Sequence, residues 1–236
     1  MIEVSVILPA LSANSEYFRC VYSIKAALSG HMKFEIICVV RDVSSFIGLN
    51  DSELHIIQEE ESGIYGAMNT GLKKAAGRYI YFIGQDDVLL PSAASAICQG
   101  IENSAEMILA DVFWGNRYVF KNKASRNTLI WKNWCHQGVF YNRLKFLHAI
   151  GEYPVKFQAQ ADHYINIVFS AIPGLKWTKY CGAIAWYSTD GFSSRVKDLE
   201  FRHAFPEIVR KHFGFTCFAV VVLRRAMRRV FTVIKK

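Results

Sequence analysis

Asp86 and Asp87 stand side by side just after the apolar run Tyr79 to Ile83, separated from it only by Gly84 and Gln85. Neighbouring carboxylates repel unless a cation joins them. Hard divalent ions such as Mg²⁺ or Mn²⁺ use one or two carboxylates together with substrate phosphate oxygens. The chemistry this pair suggests is therefore a cation holding a diphosphate. A plain Asp-rich turn is the simpler alternative.

Position decides between the two. "VSVIL" (4–8), "EIICVV" (35–40), "LHII" (54–57) and "YIYFI" (79–83) are short, β-branched or aromatic runs without clean alternation, the pattern of strands covered on both faces. Between the first two, Val21, Ile24, Ala27 and Leu28 recur at helical spacing in Glu16 to Ser29, with Gly30 as a stop. Strand, helix, strand at this spacing implies a right-handed parallel crossover, so residues 1–110 read as a doubly wound, nucleotide-binding type of half. Ile64, Met68, Leu72 and Ala75 predict another helix, with Gly77 as its left-handed C-cap, and Pro91 starts one running to Ile101. Open parallel sheets bind ligands beyond the carboxyl ends of their strands, which is where the acidic pair falls. Further on, "MILADVFW" predicts a strand, "NTLIWKNWCHQGVFYN" a loop leading into a strand, and Asp162 to Ala171 a helix.

Composition sets the outer limits. The 236 residues, 52% hydrophobic, suffice for one large α/β domain and exclude a disordered chain. Of the net charge of +8, +7 lies in Lys197–Lys236, where ten basic residues face three acidic ones, so the remainder reads as nearly neutral. Charge confined to a tail without interleaved stacking aromatics argues against nucleic acid. The six cysteines are scattered without zinc-site spacing, which fits buried thiols in a reducing compartment. No secretory signal is expected, and no transmembrane segment, since the apolar run Phe215 to Leu223 is far shorter than the roughly 20 residues a span needs.

The stretch "GIYGAMNTGLKKAAGRYIYFIGQDD" resembles the core of the family-two glycosyltransferases, inverting enzymes of the GT-A type, and the resemblance resumes weakly at "HQGVFY" and "AQADHYINI". It implies an α/β fold: a mainly parallel, Rossmann-like sheet flanked by helices that handles a nucleotide-diphospho-sugar. Residues 1–203 would form a single catalytic domain, with a nucleotide-sugar half (1–110) and an acceptor half (111–203), followed by a basic amphipathic tail (204–236). The resemblance implies that Pro9, Asp42, Glu61, Gly63, Asn69 and Asp86 contact the nucleotide sugar, and that Glu59 lies near it. Asp87, with Asp86, would hold Mn²⁺ or Mg²⁺, Asp87 being the chelating member. Asp162 would be the general base that accepts the acceptor hydroxyl's proton; a carboxylate stabilised by the helix N-terminus is the alternative. His136 and Arg195 would lie near acceptor or diphosphate, and "STDGFSS" (188–194) would close over the donor. Trp131 and Trp134 offer either a sugar-stacking surface or core. The chain departs from the family pattern at Gln85, where the first carboxylate of the cluster is expected, at Gly66, where relatives carry an acid, at Ser12 and at Val43.

From Leu223 to Lys236 the apolar and basic residues segregate to opposite halves of a helical wheel, as in a helix lying on an anionic membrane. Many relatives act on lipid-linked acceptors at the cytosolic face. The expected enzyme is a metal-assisted hexosyltransferase of polysaccharide or glycolipid biosynthesis, cytoplasmic and peripheral on the inner face of the cell membrane. Its partners would be a nucleotide-diphospho-sugar, a glycan or lipid-linked acceptor and an anionic bilayer, with no nucleic acid. The alternatives are a sugar nucleotidyltransferase, which would want a Gly-rich phosphate loop that "LPALSANSEY" lacks, and a non-enzymatic basic module on an α/β scaffold.

Overall fold

The computed structural model describes residues 1–189 and 196–234, and the side chains of the last helix as far as Met227. Strand β1 (Val4–Ala10) pairs in parallel with β2 (Phe34–Val40), and β2 with β3 (Leu54–Gln58). On its other side β1 pairs in parallel with β4 (Tyr79–Phe82). Nearly every residue of β1, β2 and β4 is buried, because helices cover both faces. On one face lie α1 (Ser15–Leu28), capped by Asn14, whose side chain accepts from the Tyr17 N–H at 2.9 Å, and α3 (Ser92–Glu102). On the other lies α2 (Ile64–Lys74). Each Val, Leu or Ile so buried is worth about 1.5–3 kcal/mol relative to exposure.

The second half extends the same sheet. After β5 (Val88–Leu89) come β6 (Met107–Trp114), β7 (Tyr118–Phe120), β8 (Val139–Asn142) and β9 (Trp177–Tyr187). Among the described residues the sheet order is β3-β2-β1-β4-β8-β6-β9-β5, with β7 on β6. The strand β8 runs antiparallel to both β4 and β6, and through it the second half of the chain continues the sheet of the first. Helices α4 (Arg143–Ala149), α5 (Ala161–Ser170), α6 (Leu199–Phe213) and α7 (Phe215–Ile234) complete the chain.

Two boundaries differ from expectation. The helix α2 ends at Lys74, and Gly77 is not its left-handed cap, as its φ is not positive. Gly77 is needed for close approach instead: a Cβ there would stand 2.5 Å from the Ser5 backbone nitrogen in β1. The expected division at 203/204 falls inside α6, whose Phe201, Ile208 and Val209 are all buried.

Candidate active site

The turn after β4 brings the two carboxylates together over a bare Cα. A Cβ at Gly84 would lie 2.8 Å from Asp86 Oδ1 and 3.1 Å from Asp87 Oδ2, so only glycine lets both oxygens converge there. The pair is not symmetrical. Asp87 is 1% exposed; its Oδ2 accepts from Gln137 Nε2 at 2.7 Å and from the Gly84 N–H at 3.2 Å, and its Oδ1 from the Ser188 N–H at 2.8 Å. Burial, and then the neighbouring Asp86 charge, push its pKa up to about 7 against these hydrogen bonds. Asp86 is only half-buried and lines the cleft, while its backbone oxygen accepts from Arg19 at 2.8 Å. Asp86 is the open carboxylate, and Asp87 is held by its three hydrogen bonds.

Across the cleft, Asp162 is the second residue of α5. Burial raises its pKa to about 6, although hydrogen bonds from the His163 N–H, Asn133 and Tyr65 hold it lower than burial alone would. Asn133 Nδ2 donates to Asp162 Oδ2 at 2.7 Å, Asn166 Nδ2 donates to Asn133 Oδ1 at 2.9 Å, and the Tyr141 hydroxyl donates to Asn166 Oδ1 at 2.6 Å. His136 Nδ1 lies 3.8 Å from the same carboxylate oxygen. Burial pushes the His136 pKa down to about 4, so the ring is neutral where Asp162 ionises and the contact is not an ion pair. Asp86, Asp87 and Asp162 line one open cleft, with Tyr65, Met68 and Tyr153 among its walls. Asp162, His136, Gln137 and Tyr187 also wall a second open cleft.

A sheet extended by an antiparallel strand, an acidic turn at its ligand edge and a facing helix-borne carboxylate can be compared with known proteins. The model of glycosyl transferase family 2 matches residues 5–159. The chain belongs to glycosyl transferase family 2. The PGL/p-HBAD biosynthesis glycosyltransferases of Mycobacterium bovis and Mycobacterium tuberculosis are 28% identical to it over 240 residues, covering 93% of this chain and 90% of theirs. Among solved structures, S. aureus TarS 1-349 in complex with UDP-GlcNAc superposes with a TM-score of 0.71 at 16% identity, covering 94% of this chain and 67% of that one. Its complex with UDP gives 0.67 at 15% identity, covering 94% and 66%. The chain thus spans about two thirds of the length of TarS 1-349, and that likeness shows the GT-A fold. Family 2 membership makes the protein a glycosyltransferase and answers the choice among sugar transfer, nucleotidyl transfer and a non-enzymatic scaffold.

The other residues singled out by the family 2 resemblance are distributed unevenly. Pro9 and Asp42 lie at the carboxyl ends of the adjacent strands β1 and β2, on the same sheet edge as the acidic pair but outside the lining of its cleft. Asp42 is exposed and caps the 3-10 turn Val43–Phe46, accepting from the Ser44 N–H at 2.9 Å and its hydroxyl at 2.7 Å; these bonds lower its pKa. Asn69 is 4% exposed and spends its side chain on the Tyr153 backbone, donating to the carbonyl at 2.9 Å and accepting from the N–H at 2.7 Å. It clamps the loop below α5 to α2, with no polar atom turned to the cleft. Glu61 is exposed, and Gly63, at φ +97°, is the N-cap of α2. Gly66 has no room for the acid of its relatives, because a Cβ would meet the Glu61 carbonyl oxygen at 2.3 Å. Gln85 Oε1 instead accepts from the Leu11 N–H at 2.6 Å, tying the loops after β1 and β4 together. Trp134 is core, 2% exposed, with its Nε1 donating to the Lys123 carbonyl at 2.9 Å. Trp131 is 52% exposed and carries Arg224 over its ring at 4.8 Å. Arg195 and residues 190–194 of the "STDGFSS" segment lie outside the described residues.

Sequence reasoning missed Asn133, Gln137, Tyr65 and the aromatic wall of the second cleft. Gln137 had a signal, its place beside His136 in "CHQGVFY". Asn133 and Tyr65 become visible only through contacts with Asp162 more than 20 residues away.

Proposed function

We propose that this glycosyltransferase moves a sugar, with inversion, from a nucleotide-diphospho-sugar to an acceptor hydroxyl, with Asp162 as general base. The observation carrying this reading is that Asp162, half-buried and with its pKa raised to about 6, shares one cleft with the converging carboxylates of Asp86 and Asp87. A base whose pKa lies close to the working pH is ionised in use yet still basic enough to take a proton. The acceptor oxygen attacks the anomeric carbon from the Asp162 side while its proton passes to the carboxylate. The bond from that carbon to the diphosphate breaks on the opposite face, which inverts the configuration. Asn133 and Tyr65 hold the carboxylate in place; the neutral His136 and Gln137 wall the reaction space.

Residues 1–111 carry fourteen acidic against seven basic residues, a poor setting for a bare diphosphate. Two carboxylate oxygens converging over Gly84 suit a divalent ion that draws most of its ligands from phosphate and water, with Asp86 as its open protein ligand and Asp87 behind it. Such an ion, Mn²⁺ or Mg²⁺, would neutralise the charge accumulating on the departing diphosphate. Among the described residues no group of three or more His, Cys, Asp or Glu could by itself hold a metal ion. The UDP and UDP-GlcNAc complexes of TarS favour a uridine diphosphate sugar.

Membrane contact is the second part of the reading. No helix of the described residues is long and apolar enough to cross a membrane. Helix α7 docks on α6 through Val221, 5% exposed, and Arg225 lies over Phe205 at 5.8 Å. Phe215, Val222, Leu223 and Met227 stay 42–72% exposed on the side away from the domain. An outward apolar stripe flanked by arginines suits an anionic bilayer surface.

The test is Asp162→Asn. Transfer should fall by about 10²-fold or more while UDP binding with Mn²⁺ persists, and the wild-type product should show the opposite anomeric configuration to the donor by NMR. A retained configuration would reject direct displacement, and near-normal turnover would reject Asp162 as base.

A further inference from the structure

The second cleft shares with the first only His136, Gln137, Asp162 and Tyr187, and neither Asp86 nor Asp87 is in its lining. An acceptor hydroxyl deprotonated by Asp162 must approach opposite to the leaving diphosphate, so this is the space its sugar can fill. The chemistry of its walls is specific. Trp114 stacks with Phe120 at 5.2 Å between ring centroids and meets Tyr187 at 4.6 Å, giving a continuous aromatic wall of the kind that sugar faces stack upon. At its rim the Lys132 ammonium lies 3.8 Å from the Phe120 ring centroid. No described carboxylate forms an ion pair with Lys132.

The surrounding charge points the same way. Between residues 112 and 135 there are five basic residues, Arg117, Lys121, Lys123, Arg126 and Lys132, and no acidic one. This corrects the expectation that positive charge is confined to the tail: the apparent neutrality of the rest is an acidic donor half cancelled by a basic acceptor loop. Asp111, next to this loop, is already paired with Lys179. A cation over an aromatic ring keeps its free N–H groups for an anion, and phosphate is the anion for which a flexible ammonium acts as a point charge.

We propose that the cleft walled by Trp114, Phe120, Lys132 and Tyr187 seats the acceptor, and that the acceptor is a sugar carrying a phosphate ester that Lys132 grips. The proposal rests on Asp162 being the general base. It makes Lys132 a residue that selects phosphorylated over neutral acceptors, and Trp114 the platform for the sugar ring.

The experiment uses the full chain and measures the dissociation constants of two probe pairs by saturation-transfer NMR. The first is a hexose 1-phosphate against the methyl glycoside of the same hexose, over a panel of hexoses. The second is a short-chain prenyl diphosphate-linked hexose in detergent against an octyl glycoside. The wild-type protein should bind the phosphorylated member of each pair about tenfold or more tightly, the worth of one charge-assisted hydrogen bond. Lys132→Ala should bring the ratio to about one, and Lys132→Arg should keep most of it; both variants should leave UDP binding unchanged. Trp114→Ala should weaken both members of a pair alike. A gain limited to the prenyl-linked pair identifies a lipid diphosphate as the source, and an equal gain in both pairs a phosphate ester of any origin. A wild-type ratio near one, or a ratio unchanged in Lys132→Ala, overturns the proposal. Failure of wild type to bind UDP would instead strike at the donor reading and leave this comparison intact.

Discussion

Replacing Asp162 by Asn should do two opposite things at once. Burial raises the Asp162 pKa from 3.8 to about 6, so the fold holds the protonated form more comfortably than the ionised one. Because the folded-state value is the higher, this group's contribution to stability is fully present below about pH 4 and is lost as the pH rises through about 6. At about 1.4 kcal/mol for each tenfold change in proton affinity, the ionised side chain costs the fold about 3 kcal/mol at pH 8. Asn is isosteric and neutral, and its oxygen can still accept from Asn133, though the amide loses about 1 kcal/mol in weaker hydrogen bonding. The net gain of about 2 kcal/mol corresponds to a melting temperature about 4–8 °C higher at pH 8 for a chain of this size. The gain should vanish at pH 4, while transfer activity is lost at both. Thermal unfolding of wild type and variant at the two pH values, run beside a turnover assay, checks both parts. If the variant melts at or below the wild-type temperature at pH 8, the carboxylate is not held under the strain argued here.

Asn133→Ala removes a donor from the same carboxylate, so the acid limb of the kcat profile should move up by about one pH unit with the KM for donor little changed; a profile shifted down, or not at all, would separate Asn133 from the base. Asp86→Ala should leave the melting temperature within about 2 °C of wild type and abolish Mn²⁺-dependent UDP binding. Asp87→Ala leaves the Gly84 and Ser188 N–H groups and Gln137 without their acceptor and should destabilise the fold by about 1–3 kcal/mol for each donor that water does not reach; equal behaviour of the two variants would contradict the asymmetry of the pair. A chain ending at Val222 keeps Val221 but loses Leu223, Met227 and every arginine of α7, and should no longer float with anionic liposomes while remaining folded by circular dichroism.

The first half of the chain was legible because its signals are local. Runs such as "EIICVV" announce a strand covered on both faces, and the acidic pair follows its strand at the sheet edge where ligands bind. The second half of the chain resisted for physical reasons. The eleven residues of β9 include Lys179, Gly182 and exposed Cys181, and the strand is held by its register on β6 rather than by periodicity. Two residues of β5 are too few for any pattern. Asn69 matched its family position, but whether its amide faces a ligand or the Tyr153 backbone depends on a loop 84 residues away. The support of Asp162 is likewise a chain of side chains from three separate segments.

Arg224 over Trp131 has a mechanical side as well. Trp131 precedes Asn133 by two residues, and Ile130 packs in the same small cluster as Val221, so the last helix leans on the peptide segment that steadies Asp162. Anchoring that helix would stiffen this segment from outside, and a truncation that spares every residue lining either cleft could still slow turnover by letting the support slacken.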